Sequence, residues 1–292
     1  MAPEPTAKTA APARQRSDGR IRLSVVRMGD STRIRDLAEA GPSRLRLPRR
    51  PVGPCEAVLL NTAGGIACGD RFSVAVEVGP GADLVLTTTA AEKIYRSDGP
   101  VSIAETRVTV EAGGRLAYLP QETILFDGAA LRRRFEADLA SDAHLLAFEA
   151  ITFGRTARDE DIRHGTFADV WRIRRDGRLV YADSLSLEGP ITAHLARTAI
   201  AGGARAMATL IDVSPDAEGR IEEVRALLEA SGARVGLPAA GSRGGGVEAG
   251  ASAWNGHLVV RCLSADPDTL RSVTQRVLVG YRGMSLPRVW QT

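Results

Sequence analysis

The chain has 292 residues, 44% of them hydrophobic, with a formal net charge of +3 from 38 Lys and Arg against 35 Asp and Glu. That is the composition of an ordinary globular protein long enough to bury a sizeable core, and no run of about 18 apolar residues is present to span a membrane. Three widely spaced cysteines (Cys55, Cys68, Cys262), odd in number, argue against a disulfide framework and fit a reducing, cytoplasmic setting, while the basic excess is local (Arg44, Arg46, Arg49, Arg50) with no interleaved aromatics, which argues against a nucleic-acid partner.

Residues 1–19 are rich in Pro, Ala, Thr and Arg and read as a disordered tail. They lack the apolar region of a secretory signal, though their shortage of acids leaves a transit peptide open. Residues 20–292 then form one domain. Ile21, Leu23 and Val25 alternate, which predicts a first strand over 21–29. Residues 30–54 are Arg- and Pro-rich and poorly periodic, and 57–60 is a short apolar strand. Next comes a glycine-rich loop with Gly64, Gly65 and Gly69, ending at Asp70. Phe72, Val74, Val76 and Val78 follow on one face, then a Gly-Pro-Gly turn at 79–81, then Leu84, Leu86 and Thr88. This predicts a β-hairpin. The run TTTAAEKIYRS is dense in specific polar residues (Thr87, Thr88, Thr89, Lys93, Tyr95, Arg96) that a plain strand would not need.

The theme repeats about every 30 residues, with turns near Gly113, Asp142 and Gly177. Asp176-Gly177 is a strong two-residue hairpin signal. A string of such units predicts a mostly β protein, a sandwich or a β-helix-like stack, over about 20–200. The connectors 120–129 and 153–167 are polar loops on a rigid scaffold, where function tends to sit. From 201 to 292 the pattern changes to an α/β part with two helices. One carries Ile221, Val224, Leu227 and Leu228 on a face with Gly232 as terminator. The other opens at Asp266-Pro267 and carries Leu270, Val273, Val277 and Leu278. Cys262 shares a face with Leu258 and Val260 and reads as core.

The chemistry is sparse. GGIACGD is no Walker loop: Asp70 and a strand stand where Lys, Ser/Thr and a helix should follow. Cys68 as a nucleophile has no local signature, and no Cys/His spacing marks a zinc site. Acids and histidines at strand ends and in connectors (Asp70, Glu122, Asp127, Asp142, His164, Asp183, Glu188) leave weak, transient binding of a divalent ion as the metal chemistry available.

NTAGGIACGD, LTTTAAEKIYRS, YLPQETILFDGA, HLLAFEAITFGR, the RHGTF connector and the ending RGMSLPRVWQT resemble, in order, the motifs of the urease accessory protein UreD (UreH) family, from about residue 20 to the C-terminus. The resemblance implies a β-helix-like fold with two helices and no catalysis. It implies a metallochaperone scaffold that binds UreF, joins the GTPase UreG on apo-urease, and conducts nickel(II) without holding it stably. On that reading Asp70 and Asp183 line the passage, with His164, Glu188 and Cys68 as weaker candidates. Gly64, Gly65, Gly69, Thr88, Lys93, Tyr95 and Arg96 order the central loop. Two rival readings are an assembly protein that never touches metal and a carbohydrate-active enzyme, which would need paired carboxylates on one sheet face.

Overall fold

The computed structural model describes residues 16–48, 53–236 and 246–291; the expected tail falls almost wholly outside them. Strand β1 (Asp18–Met28) pairs antiparallel with β2 (Ser31–Ala40), and β3 (Ser43–Arg46) with β4 (Cys55–Asn61). So the region read as aperiodic holds two strands. β2 is a sheet edge with no buried residue, so nothing forces its sequence to alternate.

The chain then runs through β5 (Arg71–Val78), β6 (Asp83–Thr88), β7 (Glu92–Ile94), β8 (Ser102–Val110), β9 (Arg115–Leu119), β10 (Thr123–Leu125), β11 (Ala130–Leu139), β12 (His144–Phe153), β13 (Gly165–Arg175) and β14 (Arg178–Gly189). Here the expected hairpins resolve differently. β5 and β6 do not pair. β5 pairs in parallel with β8, and β6 in parallel with β9. β8, β11 and β13 continue one sheet, and β9 and β12 the other. Each expected hairpin of the first three is therefore a bend between two facing sheets, and the whole is a stacked β-solenoid of about four turns. The four-residue corners span the gap between sheets instead of reversing within one, and they stack on each other. Gly81 N donates to Ala112 O at 2.9 Å, and Ala140 N to Val110 O at 2.9 Å. The fourth hairpin is real. β13 and β14 pair antiparallel across Asp176 and Gly177, both at positive φ (48° and 73°), as a two-residue turn requires.

A short helix α1 (Ile191–Ala196), not predicted, leads to β15 (Ala206–Asp212), α2 (Ile221–Ala230), β16 (Ala233–Val235), β17 (Val247–Trp254), β18 (His257–Ser264) and α3 (Pro267–Arg282). β15, β18 and β17 extend the β12 sheet in antiparallel order. Asp266 caps α3, accepting from the Thr269 amide at 3.0 Å, and Gly283 ends it at φ 62°. Between the two solenoid sheets lie two apolar clusters. One gathers Val78, Leu84, Leu86, Val110, Leu116 and Leu145 at the corner end. The other gathers Ile94, Leu125, Leu131, Ile151, Phe153 and Phe167 at the connector end. A third covers the outer face of the second sheet, where Phe148, Leu210 and Cys262 meet Val224, Leu228, Val273 and Val277 of the two long helices.

Candidate functional site

Period-2 alternation sends every second residue of a solenoid strand inward. In β11 those are Leu131, Arg133, Phe135, Ala137 and Leu139; in β13, Phe167, Asp169, Trp171 and Ile173; in β12, Leu145, Ala147, Glu149, Ile151 and Phe153. One rung between the two apolar clusters is therefore charged. Arg133 donates through Nε and Nη2 to both oxygens of Asp169 (3.0 and 2.8 Å), through Nη2 to Glu149, and through Nη1 to Thr123 Oγ1 (3.1 Å). Trp171 Nε1 donates to the same Asp169 at 3.0 Å. Beside the rung, Tyr118, Phe135 and Trp171 stack with centroids 5.0 and 4.4 Å apart.

One guanidinium between two buried carboxylates leaves an excess negative charge that a dry interior disfavours. Burial pushes Glu149 well above the usual carboxylate range, and the neighbouring Asp169 adds to this. Burial also pushes on Asp169, but the Arg133 charge and hydrogen bonds outweigh it and hold that carboxyl below its ordinary value. The consistent state is Asp169 ionised, Glu149 protonated, and a neutral triad.

This rung forms part of the wall of a cavity of about 350 Å3 between the sheets. Its lining is mostly apolar (Ile66, Phe72, Val74, Phe135) with polar groups at Asn61, Thr88, Glu92, Gln121 and Thr106. Exposed Gly64, Ala90 and Lys93 mark a mouth on the central-loop side. Glu92 accepts from Asn61 Nδ2 at 3.2 Å. Burial raises its carboxyl to about 7, with the Asn61 bond opposing.

The residues singled out in the sequence scatter around this cavity. Asp70 is buried, but its carboxylate is engaged by backbone: Ser17 N donates to Oδ1 (2.8 Å) and Ala67 N to Oδ2 (2.9 Å). It ties the glycine-rich loop to the chain before β1 and does not line the cavity. Asp183 lies four strands, roughly 19 Å, from Asp70, but it is the cross-strand partner of the cavity-wall residue Trp171 on the same inward face, is half-buried, and pairs with Arg261 at 2.6 Å. His164 and Glu188 are exposed, the former with its amide on Asp127 at 3.1 Å. Cys68, at φ 41°, donates to Asp98 Oδ1 at 2.8 Å.

The central-loop residues do meet. Gly65 sits at φ 151° where a Cβ would lie 2.4 Å from the Tyr95 ring, and Tyr95 Oη donates to Gly64 O at 3.1 Å. Gly69 packs on Pro100, Ile66 N donates to Lys93 O (2.8 Å), and Arg96 bridges to Ala129. Thr88 Oγ1 donates to Ala90 O and accepts from Gln121 N. Gly64, Thr88 and Lys93 line the cavity. The sequence reading missed Glu92, Arg133, Glu149 and Asp169. The signal was parity: Arg133, Glu149 and Asp169 share the inward register of their apolar neighbours. Among the described residues no group of three or more His, Cys, Asp or Glu is placed to hold a metal ion.

Residues 17–291 match the family described as UreD urease accessory protein. A Methylobacterium radiotolerans protein named Urease accessory protein UreD 1 is 62% identical over 295 residues, which cover 100% of this chain and 98% of that protein. Urease accessory protein UreD of a Methylobacterium species is 57% identical over 282 residues (96% and 97% covered). That of Rhizobium johnstonii is 43% identical over 277 (94% and 96%).

Proposed function

The chain belongs to the UreD urease accessory protein family, and from that premise we propose that it is a cytoplasmic scaffold of urease maturation that binds UreF, joins UreG on apo-urease, and passes nickel(II) through the solenoid interior. As an accessory protein it is an assembly factor and not an enzyme. The observation that supports the passage is the polar rung inside an otherwise apolar solenoid. A purely structural core gains little from burying a guanidinium and two carboxyls where apolar side chains would pack. A cation crossing the interior needs oxygen donors on the way, and hard carboxylate and carbonyl oxygens suit a transient, weakly held divalent ion. Glu92 supplies one, and Glu149, the neutral member of the triad at rest, supplies one by giving up its proton as the ion passes. In this proposal Asp70, Cys68 and the loop glycines shape the mouth side, Asp183 stands beside the Trp171 wall of the cavity held by Arg261, and the exposed His164 and Glu188 are candidates for contact outside the cavity.

No helix among the described residues is long and apolar enough to cross a membrane. Cys55, Cys68 and Cys262 form no disulfide, in keeping with a reducing compartment.

The test is co-expression of the tagged chain with UreF, UreG and apo-urease, comparing the parent with Glu92→Gln and Glu149→Gln. The expected result is recovery of all partners in each case, with nickel content and activity of the urease falling several-fold in the variants. Full nickel loading in both would overturn the passage and leave the second reading, assembly without metal contact. That reading is favoured by Arg133, a fixed cation in the wall that repels a dication. Failure to recover any partner would overturn the scaffold itself.

A further inference from the structure

A passage needs two openings, and the central-loop mouth is one. A second weak place in the wall lies between β9 and β10. β9 ends at Leu119 and β10 begins at Thr123, so residues 120–122 belong to no strand. Gln121 fills this break. It is buried and lines the cavity, and its amide N and both side-chain polar atoms are engaged. Its amide N donates to Thr88 Oγ1 at 2.9 Å. Its Nε2 donates to Thr88 O at 3.3 Å and to Val289 O at 3.0 Å. Its Oε1 accepts from Arg271 Nη2 of α3 at 3.2 Å. The same Arg271 pairs with Glu122 at 3.1 Å. The side chain thus joins the cavity wall on one side to α3 and the C-terminal segment on the other.

That segment is anchored where it crosses the sheet. Trp290 is buried, with its ring 5.8 Å from that of Phe148 and its Nε1 donating to Thr87 Oγ1 at 2.9 Å. Thr87 precedes the Thr88 that Gln121 holds. The residue type suits the task. A carboxamide donates to two carbonyls and accepts from a guanidinium at once. A leucine would fill the space without the latch, and a carboxylate would face the Val289 and Thr88 carbonyls without a donor.

We propose that Gln121 is a gate in the cavity wall: it closes a second opening toward α3, and residues 287–291 are the strap that holds it shut. The proposal extends the passage reading by giving it an exit, but the opening itself needs no nickel. Release of the strap frees Val289 O and Thr87 Oγ1, and Gln121 then swings out of the break between β9 and β10.

The test reads access to the cavity with neither metal nor urease present. Ala104, inward-facing and on the cavity wall, is replaced by cysteine as a reporter, and the mouth is capped beforehand by a bulky maleimide on a Lys93→Cys thiol. Reaction of the position-104 thiol with iodoacetamide is followed by peptide mass spectrometry, which separates it from the three native cysteines. Gln121→Ala is expected to speed labelling about tenfold, and Trp290→Phe, which keeps the packing and removes the bond to Thr87, by a few-fold. Unchanged rates in both overturn the gate, and acceleration in Gln121→Ala alone overturns the strap. Where Gln121→Ala does not fold, as judged by circular dichroism, Trp290→Phe decides. Because labelling is independent of nickel, a gate that opens in a chain with normal urease loading separates failure of the passage from failure of the gate.

Discussion

At the scale of single residues, two buried titratable groups pull stability in opposite directions along the pH axis. Glu92 is raised to about 7 by burial. An acid whose folded pKa lies above its unfolded value holds a proton in the native state that the unfolded state has lost. Stability from this group therefore declines as pH rises from about 4.5 to about 7. His257 works the other way. It is fully buried, neither ring nitrogen has a hydrogen-bond partner, and burial lowers its pKa. The rings of Tyr181 and Trp254 stand against it at 5.1 and 4.3 Å, and Glu218, which accepts from the Gly256 amide, is the nearby acid. Its native state is the neutral one, so stability is lost as pH falls through about 6.5. Thermal melts from pH 5 to 8 should show Glu92→Gln gaining on the parent progressively between pH 5 and about 7 and levelling off above that, by about 3 kcal/mol in all. His257→Phe should flatten the acid limb. Parallel shifts at every pH would mean that neither group titrates as its surroundings dictate.

The solenoid strands show how far the sequence could be read and where it stopped. Strand positions, corner positions and the two long helices with their inner faces follow from period 2, period 3.6 and Gly/Pro punctuation, because burial on one side enforces those patterns. Pairing did not follow. A strand–turn–strand segment has the same alternation whether its second strand lies beside the first or in the facing sheet, and only the Asp176-Gly177 turn was short enough to force a true hairpin. The charged rung escaped for a related reason. Charged residues within a strand are by default assigned to solvent, yet Arg133, Glu149 and Asp169 occupy inward positions and can do so only because they satisfy each other. That mutual dependence is testable. Arg133→Met keeps the volume but strands Asp169 without its cation, and should cost about 3–5 kcal/mol in urea unfolding. Combining it with Asp169→Asn should recover part of that loss. If the double change is as damaging as the sum of the singles, the groups do not act as a unit.

Across the whole molecule, one sheet serves two cores. β12 turns Leu145, Ala147 and Ile151 toward the solenoid interior and Phe148 toward the helices. β6 and β9 do the same with Leu84 and Leu86 against Val85, and with Leu116 against Leu119. The helical layer cannot leave without uncovering the back of the strands that wall the cavity, and the strands cannot separate without dissolving the bed on which α2 and α3 lie. Trp290, Thr87 and Gln121 add polar ties across the same sheet. The two parts that differ most in sequence pattern, the solenoid and the α/β end, are therefore expected to unfold together. Helix content by far-ultraviolet circular dichroism and the fluorescence of Trp171, buried in the solenoid and isolated by Trp254→Phe and Trp290→Phe, should report one coincident urea transition. Phe148→Ala, on the helix side of the shared sheet, should shift both signals to lower urea by the same amount, about 3–4 kcal/mol. Were the helical signal to move while the tryptophan signal stayed in place, the layers would be separate cooperative units. A partner docked on the helices would then have no mechanical hold on the cavity behind them.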